Sequence, residues 1–171
     1  MKTSLLACAA LGLVLTLTGC AGYTLGGNKP AHLAHVTKLA VPTFENQTLE
    51  PRLASLVTNA IIKQIQNSGG YEIVSMQDAE AVLDGRLINV DRSQFRSDRR
   101  NVLRTSQLLM TLRTEYVIKD AGSGSTIHRG RTSADSYTIL DSNIQNSEAQ
   151  ALEDAAQRLA ANVAADITEG W

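Results

Sequence analysis

Aromatic residues are scarce in this chain of 171 residues: tryptophan, tyrosine and phenylalanine together make up 4% of it. Proteins that bind single-stranded nucleic acid use aromatic side chains as platforms on which the bases stack. The composition therefore argues against a nucleic-acid partner. The formal net charge of −1 does not favour a partner of either sign.

The sequence also lacks the usual signatures of catalysis. No serine lies in a G-x-S-x-G motif, and the run GSGS at 122–125 is not followed by the G-K-[ST] of a phosphate-binding loop. His32 and His35 have no cysteine or carboxylate at metal-ligand spacing. We therefore expect no enzymatic activity and no bound metal.

Cysteine occurs only at positions 8 and 20. Cys8 lies in an uncharged apolar run, 5–19, which follows Lys2 and is shorter than the roughly 20 residues of a membrane-spanning helix. A charged start, an apolar centre and a small-residue end are typical of a secretory signal peptide. Once that peptide is removed, Cys20 remains alone and cannot form an internal disulfide.

The residues LTGC at 17–20 resemble the bacterial lipobox, in which the cysteine becomes the first residue of the mature chain. The resemblance implies a lipoprotein signal peptide at 1–19 and a covalent lipid, palmitate included, on Cys20. Several acyl chains together give stable anchoring. Ala21 stands where inner-membrane lipoproteins usually have aspartate, which implies the outer membrane and a periplasm-facing domain. The alternative is a free thiol behind an ordinary signal peptide.

The mature chain divides into a tether and one domain. Glycines, Asn28 and Pro30 interrupt any periodicity after Cys20, so we predict a lipidated tether at 20–35. Residues 36–171 are enough for a single domain with its own core.

The first half of that domain has clear element signals. Apolar and β-branched residues predict a strand at 36–41, ended by Pro42. A helix follows, with Thr48 as its cap and NSGG at 67–70 as its end. Its apolar stripe recurs at three- and four-residue steps: Leu49, Leu53, Leu56, Val57, Ala60, Ile61 and Ile65.

The second half reads as strands at 71–75, 81–93, 107–120 and 126–140, followed by a helix. Gly85 is expected to mark a bulge or a close backbone approach, and the last strand is expected to bulge near Gly130. Ser147 and Gln150 form a capping-box pattern for the helix. Its apolar stripe consists of Leu152, Ala155, Ala156, Leu159, Val163 and Ile167.

Each helix has a single apolar stripe, which fixes the simplest architecture. We predict an α+β fold, a two-layer sandwich with two helices packed on one face of a four- to five-stranded mixed β-sheet. The strands at 36–41 and 71–75 are joined through a helix and should be parallel. The later strands should be antiparallel.

Arginine is concentrated in one part of the chain. Nine of its eleven arginines lie between Arg86 and Arg131. Guanidinium groups bind phosphate bidentately, so we hypothesise that the connection at 91–104, at the tip of a long hairpin, contacts an anionic ligand. The alternative is a solvated loop whose arginines pair with the acidic face of the last helix. The candidate contact residues are Arg86, Arg92, Arg96, Arg99, Arg100 and Arg104.

Three segments resemble the lipopolysaccharide-assembly lipoprotein family LptE, in its widespread non-enterobacterial form. They are GCAGYTLGG at 19–27, KLAVPTFENQTLEPRLASLVTNAIIKQI at 38–65 and YEIVSMQDAEAVLDGRLINV at 71–90. The resemblance covers about residues 20–91, and the C-terminal half agrees in the order of its elements.

This resemblance implies a single LptE-like α+β domain at 36–171. It also implies a lipoprotein that sits in the lumen of the outer-membrane barrel protein LptD, helps that barrel to assemble, plugs it, and interacts with lipopolysaccharide on its way to the outer leaflet. With it, lipopolysaccharide or the barrel becomes the expected contact of the arginine connection at 91–104. No catalytic activity and no cofactor are implied. The alternative is another periplasmic lipoprotein adaptor, either an activator of cell-wall synthesis or a secretion-channel component.

Overall fold

The computed structural model describes residues 29–97, 105–139 and 143–170. A short 3₁₀ helix at Ala31–Leu33 comes first. The remaining elements, in chain order, are β1 (Lys38–Ala40), β2 (Glu45–Asn46), α1 (Leu53–Ser68), β3 (Glu72–Ile73), β4 (Ala81–Ser97), β5 (Thr105–Asp120), β6 (Thr126–Ile139) and α2 (Ile144–Glu169).

The strands form one mixed sheet in the order β3-β1-β4-β5-β6, with the two-residue β2 pairing with β4. β1 runs parallel to both β3 and β4, and β2 also runs parallel to β4. β4, β5 and β6 form an antiparallel meander. The predicted mixed sheet is confirmed, as is the parallel pairing of the two strands joined through α1.

Both helices pack on one face of this sheet, and the predicted two-layer sandwich is confirmed. α1 buries Leu53, Val57, Ile61 and Ile65 against the strands and against α2. α2 buries a stripe rich in alanine, whose small side chains let the helix approach the sheet and α1 closely: Ala155, Ala156, Leu159, Ala160, Val163 and Ile167. None of the helices in the described residues is both long enough and apolar enough to cross a membrane.

The start of α1 differs from the prediction. Thr48 does not cap the helix: its hydroxyl donates to Asn46 Oδ1 at 2.7 Å and accepts from the Glu50 N–H at 3.2 Å. These bonds form a turn that competes with helix, so α1 begins only at Leu53. Leu49, predicted on the apolar stripe, is 99% exposed. The end of α1 at Gly69 agrees with the prediction, because this glycine has the left-handed φ of 67°.

The start of α2 also differs, and the predicted capping box is wrong. The helix begins at Ile144, and the Ser147 hydroxyl donates to the Asn143 carbonyl at 3.2 Å from within the first turn. A serine in this position bonds backward to the turn before it, so it cannot serve as the cap. The predicted apolar stripe beyond it is confirmed.

β4 changes face halfway along its length. Its register with β5 shifts between Leu87 and Asn89, so that Val90 pairs with Leu112. Leu87 and Val90 therefore both turn toward the helices, although their positions are three apart and strict alternation would place them on opposite faces. This bulge explains why apolar residues occupy both alternations of the sequence at 81–93.

The two strand glycines allow close approach of aromatic rings. A Cβ at Gly85 would lie 2.1 Å from the Phe44 ring, and a Cβ at Gly130 would lie 2.2 Å from the Tyr116 ring. Gly85 thus marks a close approach, one of its two predicted roles. The register shift of β6 falls at Ile127 rather than at Gly130.

Candidate binding surfaces

The far part of the β4–β5 hairpin extends beyond the sandwich, and residues 91–96 of β4 are all exposed. At about 3.3 Å per residue, β4 is about 50 Å long. The described part of the hairpin tip, residues 91–97 of β4 and 105–109 of β5, therefore lies at the opposite end of the molecule from Ala81. Of the predicted contact residues, Arg99, Arg100 and Arg104 lie outside the described residues.

Arg92 lies on the side of the sheet that the helices cover. Its Nη2 donates to Glu50 Oε1 at 2.5 Å, and its Nε lies 3.7 Å from Glu148 Oε2. Arg92 thus joins the hairpin to the turn before α1 and to the first turns of α2. The sequence left two alternatives for the arginines, contact with a ligand or pairing with acidic residues of the last helix. For Arg92 the structure shows the second alternative.

Apolar side chains accompany Arg96 near the tip. The Arg96 guanidinium lies 5.6 Å from the centre of the Phe95 ring, which is 4.6 Å from the centre of the Tyr137 ring. Phe95, Tyr137, Ile139 and Ile144 are all substantially exposed. This end of the molecule therefore combines apolar rings with guanidinium groups.

Arg86 lies on the open face of the sheet, which is the face opposite the helices. Its Nε and Nη2 donate to Glu115 Oε2 at 3.2 and 2.9 Å, while Arg131 Nη2 pairs with Glu115 Oε1. The hydrogen bond from Arg86, reinforced by Arg131, holds the pKa of the Glu115 carboxyl below its ordinary value. The three side chains are in register across β4, β5 and β6.

The bulge at Ile88 separates Arg86 from Arg92. The two positions are six apart in the sequence, an even number, so strict alternation would place both side chains on one face. The bulge reverses the alternation and leaves them on opposite faces. The structure therefore does not bring Arg86 together with Arg92.

The opposite end of the molecule holds the start of the described chain. Leu33 is fully buried, and Lys29 Nζ donates to the Val36 carbonyl at 2.7 Å while lying 4.3 Å over the Tyr71 ring. The Glu80 carboxylate, just before β4, accepts from the Thr37 and Lys38 N–H groups, and these bonds lower its pKa. The chain that leads to Cys20 therefore leaves from this tether end.

A polar cluster at the tether end was not predicted from the sequence. The His32 and His128 rings stack with centres 5.0 Å apart, and His128 Nε2 lies 2.7 Å from Asp166 Oδ2, which also accepts from the Tyr116 hydroxyl. Burial, together with this bond to Asp166, raises the pKa of Tyr116. The contacts join the 3₁₀ helix, β5, β6 and α2. Nothing in the spacing of these residues along the chain could have indicated them.

Comparison with known proteins shows the family. The sequence model of the family described as LptE, lipopolysaccharide-assembly, matches residues 36–168, which is most of the chain. No curated protein sequence matches the chain.

Several solved structures share the fold at low identity. Protein XCC0632 from Xanthomonas campestris has a TM-score of 0.55 at 13% identity, over 82% of this chain and 90% of that one. A minor lipoprotein from Acinetobacter baumannii has a TM-score of 0.53 at 12% identity, over 78% of this chain and 93% of that one.

A PelC variant from Paraburkholderia phytofirmans, solved as a dodecamer, has a TM-score of 0.52 at 16% identity, over 82% of this chain and 94% of that one. At these identities the likeness of all three structures shows the fold alone. The match of the family model to residues 36–168 goes further: the chain belongs to the lipopolysaccharide-assembly family LptE.

Proposed function

We propose that this protein is an outer-membrane lipoprotein that binds the LptD barrel and assists the assembly of lipopolysaccharide at the outer leaflet. The observation that carries the proposal is the family match over residues 36–168. The protein acts by binding and by supporting barrel assembly, without catalysis and without a cofactor.

The polar open face of the sheet supports a position inside a barrel. Interiors of outer-membrane barrels are polar, so a domain that plugs one needs a polar surface of its own. The open face supplies the Arg86–Glu115–Arg131 ion pairs and a second pair in which Lys119 Nζ lies 2.6 Å from Asp84 Oδ2. Such a face can pair with lumen side chains without burying an apolar surface.

The anchor in this proposal is a lipid on Cys20, and the protein faces the periplasm. Lys29 lies nine positions after Cys20, and the chain between them reaches at most about 30 Å. Because Lys29 is held at the tether end, that end stays within this distance of the anchoring leaflet. The hairpin tip then lies on the side of the domain away from the anchor.

The hairpin tip is the proposed contact for lipopolysaccharide phosphates or for the barrel wall. Its apolar rings suit acyl chains, and its guanidinium groups suit phosphates. Arg96→Ala should weaken binding of purified lipopolysaccharide to the full-length lipoprotein by at least about tenfold, since a charge-assisted hydrogen bond contributes about 1.5–3 kcal/mol. Arg158→Ala on α2, also an exposed arginine, should leave binding unchanged. Equal losses of affinity in the two variants would show that the hairpin tip does not bind lipopolysaccharide.

Depletion of the protein in its native cell tests the whole function. We expect the amount of folded LptD barrel and the amount of newly made lipopolysaccharide at the cell surface to fall together. Re-expression of the wild-type chain should restore both quantities. If both stay constant when the protein is absent, the proposed function is wrong.

A further inference from the structure

β6 forms one edge of the sheet. In the part of the chain that the structure describes, the strand order β3-β1-β4-β5-β6 leaves no strand on the outer side of β6. β6 spans 14 residues and is about 45 Å long. Its register shift lies at Ile127, so its pairing with β5 is regular from His128 to Ile139. An edge of this length presents a row of backbone N–H and C=O groups with which another strand can pair.

Asn162 of α2 shows which backbone groups of β6 point away from β5. Its Nδ2 donates to the Ser133 carbonyl at 3.0 Å, so this carbonyl is turned to the outer edge of the sheet. The direction of the backbone groups alternates from residue to residue in an antiparallel strand. The outward groups therefore belong to the odd-numbered residues from Arg129 to Ile139. In the single chain, the Asn162 amide takes the place that an N–H of a neighbouring strand would have.

The side chains of the same odd-numbered residues lie on the open face, and the sign of their charge changes along the strand. Arg129 and Arg131 lie toward the tether end, and Asp135 and Tyr137 follow them. Charged side chains on an edge strand discourage pairing with another chain when like charges meet. A second copy of β6 that runs antiparallel presents the opposite order of charges, so that unlike charges meet.

One register of β6 with a second copy of itself satisfies both charged positions. With a twofold axis at Ser133, Arg131 of each copy faces Asp135 of the other copy, and Arg129 faces Tyr137. All of these pairs lie within the regular part of the strand. With the axis at Arg131 or at Asp135, two like charges would face each other instead.

The facing side chains are available for these contacts. Arg131 is 77% exposed, and its pairing with Glu115 leaves other N–H donors of the guanidinium for a second carboxylate. Asp135 is exposed and uses only Oδ1 to accept from the Thr111 hydroxyl, at 2.7 Å. Tyr137 is 56% exposed, and aromatic rings attract guanidinium groups. We propose that two copies of this protein pair antiparallel along β6, with Arg131 of each copy bound to Asp135 of the other.

Such a pair has one continuous sheet, with its twofold axis perpendicular to the sheet. The two tether ends then lie at opposite ends of the joined strands. Lipids on both copies of Cys20 reach the same membrane when the strands lie along its surface, because each tether extends up to about 30 Å. The interface requires neither a barrel nor lipopolysaccharide, so the inference does not rest on the proposed function.

Sedimentation velocity of the full-length lipoprotein in detergent, corrected for bound detergent, tests the inference. We expect the wild-type protein to dimerise with a dissociation constant in the micromolar range. Asp135→Arg places arginine opposite arginine, and Arg131→Asp places two carboxylates together. Each variant alone should therefore lose at least about tenfold in dimer affinity. A mixture of the two variants restores unlike charges at both positions, so a heterodimer should form with about the wild-type affinity.

Asp91→Arg is the matched control, because Asp91 is in register with Thr111 and Asp135 on the open face but lies two strands from the edge. It should leave dimerisation unchanged. Three results would overturn the inference: a wild-type protein that stays monomeric throughout the micromolar range, an equal loss in Asp91→Arg, and a mixture without heterodimer. Rescue of Asp135→Arg by Arg129→Asp instead of Arg131→Asp would contradict the register. None of these results bears on whether the protein binds a barrel.

Discussion

At the scale of the single residue, Gly85 shows how closely the strands and the loop before α1 pack. Any side chain at this position meets the Phe44 ring, which is 2% exposed and cannot move aside freely. Gly85→Ala should therefore lower the free energy of unfolding by about 1–3 kcal/mol, a typical cost of overpacking. Urea denaturation of the wild-type and variant proteins measures this difference.

Gly122 provides the control for that substitution. A Cβ at Gly122 would meet nothing closer than Asp120 Oδ1 at 3.5 Å, an ordinary contact distance. Gly122→Ala should change the free energy of unfolding by less than about 0.5 kcal/mol. Equal effects at the two glycines would show that Phe44 does not occupy the space over Gly85.

Tyr71 links single-residue chemistry to the pH dependence of stability. Its hydroxyl donates to the Ile167 carbonyl at 2.7 Å, and burial raises its pKa from 10 to about 12. The unfolded chain therefore ionises first, and the stability that Tyr71 contributes is present below pH 10 and lost as the pH rises toward 12. Tyr71→Phe should reduce this alkaline loss, measured by denaturation at a series of pH values. At neutral pH it should cost about 1–3 kcal/mol for the unpaired carbonyl.

Tyr137→Phe supplies the comparison, because Tyr137 is 56% exposed. It should leave both the neutral stability and the alkaline loss as they are in the wild-type protein. An alkaline loss in Tyr71→Phe as steep as in the wild type would contradict the role given to Tyr71.

At the scale of the element, the apolar stripes of both helices could be predicted because burial repeats with the helical period. The helix starts could not be predicted. Thr48 and Ser147 matched capping patterns, but each bonds to its own local backbone or to a neighbouring side chain. Such local bonds compete with capping, and the sequence does not show which of them forms.

Leu49 and Leu53 test the observed start of α1. Leu53 is buried and Leu49 is fully exposed. Leu53→Ala should lower the free energy of unfolding by about 2–5 kcal/mol, whereas Leu49→Ala should change it by less than about 0.5 kcal/mol. Comparable losses in thermal or urea denaturation would support the helix start predicted from the sequence instead.

The candidate surfaces could be predicted only where neighbours in space are neighbours in the sequence. The clustering of arginines along 86–104 indicated the hairpin, and the structure places Arg92 and Arg96 there. The bulge at Ile88, which no motif indicates, moves Arg86 to the other face. Two other contacts join segments that are distant in the sequence: the ion pair of Arg86 with Glu115 and the contact of His128 with Asp166. The spacing of residues along the chain does not indicate such contacts.

At the scale of the whole molecule, Lys29, where the described chain starts, and the described part of the hairpin tip lie at opposite ends of the sheet. Cys20→Ala should release the protein from the membrane, because the proposed anchor is the lipid on that cysteine alone. The domain should still fold, since the described core begins at Leu33. Membrane fractionation, with mass spectrometry of the mature N-terminal peptide, measures both the anchoring and the lipid. A variant that remained in the membrane fraction would contradict lipid anchoring at Cys20.

The most direct test of the central claim is the composition of the complex that the full-length lipoprotein forms in its native outer membrane. Purification in mild detergent, followed by mass spectrometry of the intact assembly, identifies and counts the partners. The account predicts the LptD barrel, in equal number with the lipoprotein. A preparation that lacks the barrel and contains a cell-wall enzyme or a homo-oligomeric ring instead would contradict it.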